Sequence, residues 1–223
     1  MKGANLTGTR LLRAVIKGAD LSDAVLRRAV LDGVDMSSAS LTGAIMLRNL
    51  DSFPPDLQVA IRDHDRWIDT AGREGTRANF AKRDLSGMDL SGADLSGADF
   101  SGATLAGTKL ADSLLVMANF SGANMTKANL TQADLSGADL RGAQLAGGWL
   151  ARVNLGPVEL KRSDGSVSGR NWPGNLEGAS LAGADLTAAN LKAAKLARAN
   201  LAGAILSMTI LDDADLTNAV MPR

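Results

Sequence analysis

An all-β solenoid, coiled with four short sides to the turn, is the fold class this sequence predicts, and three observations predict it. A five-residue phrase, Ala-(Asp/Asn)-Leu-x-Gly or a near relative, fills most of the 223 residues and is plainest in Ala93-Asp94-Leu95-Ser96-Gly97 and Ala133-Asp134-Leu135-Ser136-Gly137. Its period of five fits neither a 3.6-residue helix nor plain two-residue strand alternation, and suits a chain that turns a corner every five residues. Three of the 4 phenylalanines, Phe80, Phe100 and Phe120, stand one four-sided coil apart, so they should stack in a single ladder.

Each repeat has a large apolar centre and, two positions earlier, a small pillar. Residues two apart in extended backbone point to the same side, so both face inward while the residue between them faces out. The first block, residues 1–46, has centres Leu6, Leu11, Ile16, Leu21, Leu26, Leu31, Met36, Leu41 and Met46. A second run of centres goes from Phe80 to Leu160 and a third from Leu176 to Met221, each with a centre every five residues. The sum is about nine 20-residue coils; stacked on one axis they would make a rod roughly 43 Å long. The interior is too narrow for two large side chains per side, so Leu alternates with Ala, and no coil can fold without neighbours above and below. Asp or Asn before the centre and Ser or Gly after it suit tight corners, through local hydrogen bonds and tolerance of unusual φ. Asn79, Asp99, Asn119 and Asp139 should form one outward column in which neutral Asn separates the charges.

On these residues the chain resembles the pentapeptide-repeat proteins, over about four-fifths of its length. That resemblance implies a right-handed quadrilateral β-helix with centre and pillar packed inside and the other three positions facing solvent.

Two stretches break the pattern. Residues 47–77 read as a helical insertion or cap. Asp51-Ser52-Phe53-Pro54-Pro55 marks a helix start, Leu57, Ala60, Ile61, His64, Trp67 and Ile68 follow at helical spacing, and Gly72 is the stop. The segment from His64 to Ala78 also resembles a lead-in that caps the solenoid of some family members. Here it follows nine repeats, which favours one α-helix inserted between coils and packed on the rod; two solenoids separated by the helix is the alternative. Residues 78–223 form the main β-helix, interrupted by a polar loop at 161–175.

Composition narrows the function. Lys plus Arg and Asp plus Glu number 24 each, and Cys is absent, which removes thiolate metal sites and disulfides. No apolar run approaches the roughly 18 residues of a membrane span. The repeat begins within Met1-Lys2-Gly3-Ala4-Asn5-Leu6, leaving no room for a signal peptide, so a cytoplasmic protein is expected. The single histidine, His64, has no motif partner and reads as packed beside Trp67 and Leu57. No cofactor, metal or catalytic residue is expected, and a Ca²⁺ roll would need Gly-Gly-x-Gly-x-Asp repeats that are missing.

Outward positions that should be polar expose the candidate partner-binding residues. Val25, Ile45 and Leu47 lie on one side of the first block and Leu12 and Val30 on the adjoining side, bordered by Arg10, Arg13, Arg27 and Arg28. Such a patch marks an interface unless the helix at 55–69 covers it. Trp149 points outward and Trp172 sits in the 161–175 loop; the two either cover each other or form an aromatic patch with Arg152, Lys161, Arg162 and Arg170. Smaller clusters are Leu114, Val116 and Met117, and Ile205, Met208 and Ile210.

The expected function is a non-enzymatic rigid scaffold for protein–protein interaction with an unidentified protein partner; exposed coil ends would also allow a homodimer. The alternative comes from the resemblance: some family members mimic DNA and modulate DNA gyrase. Those members tend to be acidic, with Phe centres and a C-terminal dimer helix, whereas this chain has zero net charge and mostly Leu centres. Direct nucleic-acid binding is disfavoured, because residues 1–50 carry only a modest excess of Lys and Arg over Asp.

Overall fold

Residues 1–31, 33–47, 50–162 and 166–223 are described by a computed structural model of the protein. Along the main solenoid the residue before a centre forms a parallel bridge to its counterpart one coil on: Asn79 to Asp99, Asp99 to Asn119, Asp84 to Thr104. Two backbone bonds carry each such bridge. Phe80 N–H donates to the Asp99 carbonyl at 2.7 Å, and Asp99 N–H donates to the Ala78 carbonyl at 3.0 Å.

The corners follow from the repeat's own residues. Asp84 Oδ1 accepts the Ser86 N–H at 2.9 Å, spanning centre Leu85, and Met88 N–H closes the turn onto the Leu85 carbonyl at 3.2 Å. The second residue after nearly every centre takes left-handed backbone, as at Gly87 (φ 68°) and Lys82 (φ 59°), which explains why glycine dominates that position. Centres and pillars from Leu95 to Ala199 are buried, forming one continuous core. Phe80, Phe100 and Phe120 stack as expected, with ring centroids 5.1 and 4.7 Å apart. Two of the fully buried pillars are polar, and each returns its hydroxyl to a backbone carbonyl: Thr108 to Leu85 at 2.9 Å and Ser113 to Leu110 at 2.6 Å. That satisfies a donor which would otherwise be buried without a partner. The Asn79 column also forms, and Asn119 Nδ2 donates to Asp99 Oδ1 at 3.1 Å.

Helix α1 spans Pro55–Asp69, with proline in its first turn. Its apolar face, Leu57 and Ile61, together with Phe53, joins the same core as Ala78, Phe80 and Leu85. The helix therefore lies over the first coil of the main solenoid. The N-terminal block has a separate small core of Ile16, Leu21 and Ala24. Its ladder runs Asn5–Val25–Ile45, Arg10–Val30 and Asp20–Ser40, and the next bridge begins at Asn79. Among the described residues no bridge joins the two ladders, so the bridges do not by themselves give the expected single stack of about nine coils. Helix α1 packs between them in sequence, its Leu57 and Ile61 against the first coil of the main solenoid.

The polar stretch after Leu155 is a hairpin rather than a loop. Strand β1 (Val158–Lys161) pairs antiparallel with β2 (Val167–Trp172), Val158 opposite Trp172 and Glu159 opposite Asn171. Leu160, spaced as a coil centre, instead lies half-buried in β1. Pro157 explains the break. It falls at the corner position that takes left-handed backbone and donates an N–H to the next coil, and a proline ring permits neither. The ladder resumes with Asp139 bridged to Asn175 and Asn154 to Asn190, as though the hairpin were absent. Among the described residues no helix is long and apolar enough to cross a membrane.

Candidate interaction surfaces

The main solenoid has four sides, each a column of outward residues. One carries Asp99, Asn119, Asp139 and Asn175; the next Thr104, Asn124 and Gln144; the third Lys109, Asn129, Trp149 and Asp185; the fourth Leu114, Asp134, Asn154 and Asn190. Trp149 stands on the third side, held between Asn129 and Asp185 and 55% exposed. Trp172 closes the hairpin over the corner between the fourth and first sides. There a Cβ on Gly137 (φ 66°) would lie 3.0 Å from Val158 and 3.2 Å from the Trp172 ring, so only glycine leaves room for the hairpin's base. A crevice of about 250 Å³ opens beside it, lined by Trp172, Asp139, Arg141 and Lys195, with Arg141 holding Asp139 at 2.6 Å. The two tryptophans are thus on opposite sides of the coil: they neither cover each other nor share one patch. Five residues per side put them there, and linear proximity to the loop gave no hint of it.

The apolar patch on the first block is divided as well. Val25 and Ile45 are bridged to each other and half-buried, and Leu47 packs against the main core. Ile45 and Met46 face Asp89, Gly92, Ala111 and Asp112 across a crevice of about 260 Å³. This side of the block is therefore turned toward the main solenoid. Val30 is half-buried beside Arg10, and Leu12 is exposed. The side facing fully outward holds Val15, 92% exposed, an apolar outward residue that its place directly before centre Ile16 makes legible in the sequence.

Between block and solenoid lies a polar seam. Arg28 pairs with Asp94, and its Nε donates to Asp69 of α1 at 3.1 Å. Arg27 donates to the Asp112 carbonyl, while its buried Nε has no partner. Burial lowers the pKa of Arg27, opposed by the carboxylates of Asp112, Asp94 and Asp134. Burial also pushes Asp65 up to about 7, against the pull of Arg28 and with the push of Asp94 and Asp69. The sequence signal was the pair Arg27-Arg28 itself, in corner positions where the repeat commonly places Ser-Gly.

His64 lies fully buried on the inner face of α1. It is stacked on Trp67 at 5.5 Å, and its Nδ1 accepts the Ala78 N–H at 3.1 Å. Burial lowers its pKa to about 4, so the ring is neutral and acts as an acceptor that ties the helix to the first coil. Among the described residues no group of three or more His, Cys, Asp or Glu is arranged to hold a metal ion.

A profile of pentapeptide repeats matches the chain in 8 copies, over residues 1–30, 10–46, 76–112, 118–156, 175–207 and 194–222. No curated protein matches it significantly. Among solved structures the chain is similar to HetL, a pentapeptide repeat protein involved in heterocyst differentiation regulation from the cyanobacterium Nostoc sp. strain PCC 7120. The identity is 32%, covering 98% of this chain and 90% of that one, with a TM-score of 0.32. Full-length QnrB1, a plasmid-mediated fluoroquinolone resistance protein, is 18% identical, covering 98% of this chain and 91% of that one, with a TM-score of 0.32. A thylakoid-lumen pentapeptide repeat protein of Arabidopsis thaliana is 25% identical over 62% of this chain and 65% of its own, with a TM-score of 0.21. The profile copies cover about three-quarters of the sequence and coincide with the bridged coils, and on that ground the chain belongs to the pentapeptide-repeat family.

Proposed function

We propose that the protein is a non-enzymatic rigid scaffold that binds another protein through its outward sides. The observation that carries this reading is Trp149: a large aromatic held 55% exposed in a column otherwise made of Lys, Asn, Asp and Ile. A ladder bonded above and below fixes its backbone, so little freedom is lost when a partner closes over the ring. Tryptophan is among the residues that contribute most to interfaces. Trp172, also exposed, offers a second anchor on the opposite side. The burial of His64 and its engagement with Ala78 further support a non-catalytic role.

The test is affinity capture with the wild type, Trp149→Ala and Trp172→Ala, followed by affinity measurement on each identified partner. Loss of about tenfold or more in affinity with either variant supports the reading, since an aromatic anchor contributes on the order of 2 kcal/mol. A partner bound equally by wild type and both variants removes the tryptophans from the account.

A further inference from the structure

The seam between the N-terminal block and the main solenoid is built unlike the rest of the molecule. Within each solenoid the coils are joined by backbone ladders; across the seam the described contacts are made by side chains and close approach alone. The two cores remain separate. Arg27 and Arg28 project from the corner after Leu26, and Arg28 holds left-handed backbone (φ 53°) that glycine would adopt without strain.

Beneath them lies a strip of carboxylates. Asp94 and Asp134 flank Leu114 on the fourth side, Asp112 stands at the adjoining corner, and Asp65 and Asp69 come from α1. Two guanidiniums therefore face five carboxylates. The fit is incomplete: among the described residues Arg27 Nε is buried without a partner and Asp65 forms no ion pair, and crevices of about 260 and 100 Å³ remain along the contact. A contact with excess charge on one side and unfilled space is one that a better-matched chain can displace.

We propose that the N-terminal block is a detachable arm, and that its Arg27–Arg28 pair occupies in cis a docking strip for an arginine-bearing segment of a partner protein. Closely spaced carboxylates suit the planar fork of arginine, which takes two oxygens at once, better than the point charge of lysine. Leu114 and Met117 beside the strip offer apolar surface to the side-chain stems. The inference deepens the scaffold reading and rests on it for the existence of a partner. The experiment needs no cellular partner, so it can fail while Trp149 remains an anchor.

The chain has no cysteine, so Val15→Cys on the arm and Met208→Cys on the solenoid, 92% and 77% exposed in the wild type, can carry a donor and acceptor dye. Energy transfer between them is followed as hexa-arginine is added at about 0.15 M salt, where exposed charges beyond ~8 Å are screened. Transfer should change and saturate at one peptide per chain, with hexalysine weaker. Arg27→Glu/Arg28→Glu should begin in the open state and bind hexa-arginine about tenfold more tightly, because the wild type binds only through its open fraction. Asp94→Asn/Asp134→Asn should lose the peptide. If the charge-reversed chain loses its β signal in circular dichroism, Arg27→Gln/Arg28→Gln gives the same readout. Wild-type transfer in the open variant, or affinity no higher than wild type, overturns the arm. Equal binding of hexalysine overturns the guanidinium assignment. A concentration-dependent dimer that excludes the peptide gives the strip to a second copy's arm and overturns the partner assignment.

Discussion

Gly92 offers a matched test of how firmly the first block sits on the main solenoid. A Cβ built there would lie 2.8 Å from the backbone N, C and O of Met46, whereas one on Gly87 would meet nothing within 4 Å. Both glycines hold the same corner with nearly the same backbone, φ 71° and 68°. Replacing either with alanine therefore imposes the same left-handed penalty, about 1 kcal/mol, and the repeat tolerates it at Lys82 and Asp112. Only Gly92→Ala adds a clash, and it is with backbone that cannot rotate away. Restoring ordinary contact needs a retreat of roughly 0.6 Å, and overpacking on this scale costs about 1–3 kcal/mol. The block's core of Ile16, Leu21 and Ala24 is too small to be indifferent to losing its support. The assay is amide hydrogen exchange at Leu21 and Leu26, whose N–H groups bond to Ser40 and Ile45 at 2.9 and 2.8 Å. Exchange there should quicken by about tenfold in Gly92→Ala relative to Gly87→Ala, the equivalent of 1.4 kcal/mol. Leu140, deep in the main ladder, should not respond. Equal exchange in the two variants would refute the docking described for Met46.

Other outcomes follow from the same structure. His64 has its folded pKa lowered to about 4 from 6.5, so its unfolded form binds more protons between those values; stability is full above pH 6.5 and falls as pH drops toward 4, by on the order of 3 kcal/mol, measurable as a falling urea midpoint. Asp65 acts with the opposite sign. Its folded pKa is raised from 3.8 to about 7, so stability is lost as pH rises through that window, and Asp65→Asn should raise the melting temperature at pH 8 while changing little below pH 4. Phe100, stacked on Phe120 and tilted against Phe80, should cost about 3–5 kcal/mol when truncated to Ala, against about 1.5 kcal/mol or less for Leu, the repeat's usual centre, as read from denaturant midpoints. With no net charge, the chain should leave DNA supercoiling by purified gyrase unchanged at high protein concentration; inhibition would favour the DNA-mimic alternative.

What the sequence made legible was what is local and periodic. Leu95, Ala98 and Phe100 could be assigned inward because the side-chain period in extended backbone is two and the corner period is five, and each coil repeats its neighbour's environment. Helix α1 was legible for a similar reason, from Pro55 at its start and the spacing of Leu57, Ile61 and His64. Leu160 was misassigned because an apolar residue in register is not sufficient; Pro157 vetoes the corner it requires. The seam was not legible, since Arg27 meeting Asp112 and Arg28 meeting Asp94 join residues 85 and 66 apart with no shared pattern. Trp149 could be placed outward, but its separation from Trp172 depends on counting sides around a coil that the hairpin enters between.

The near-constant spacing of the backbone ladder has a mechanical consequence. Bonds along the main solenoid tie each residue to one about a coil away, apart from the single step from Asp139 to Asn175 and its parallels up to Asn154 and Asn190. Pulled from its two ends, such a chain peels turn by turn, and each turn releases roughly 70 Å of slack at about 3.5 Å per extended residue. The turn that carries the hairpin releases roughly 125 Å on the same scale. The closed loop is longer there by a factor of less than two, so it adds only about 0.5 kcal/mol of closure entropy. The hairpin therefore lengthens one link of the coil without weakening it much, which leaves its sequence free to vary under the demands of whatever it touches.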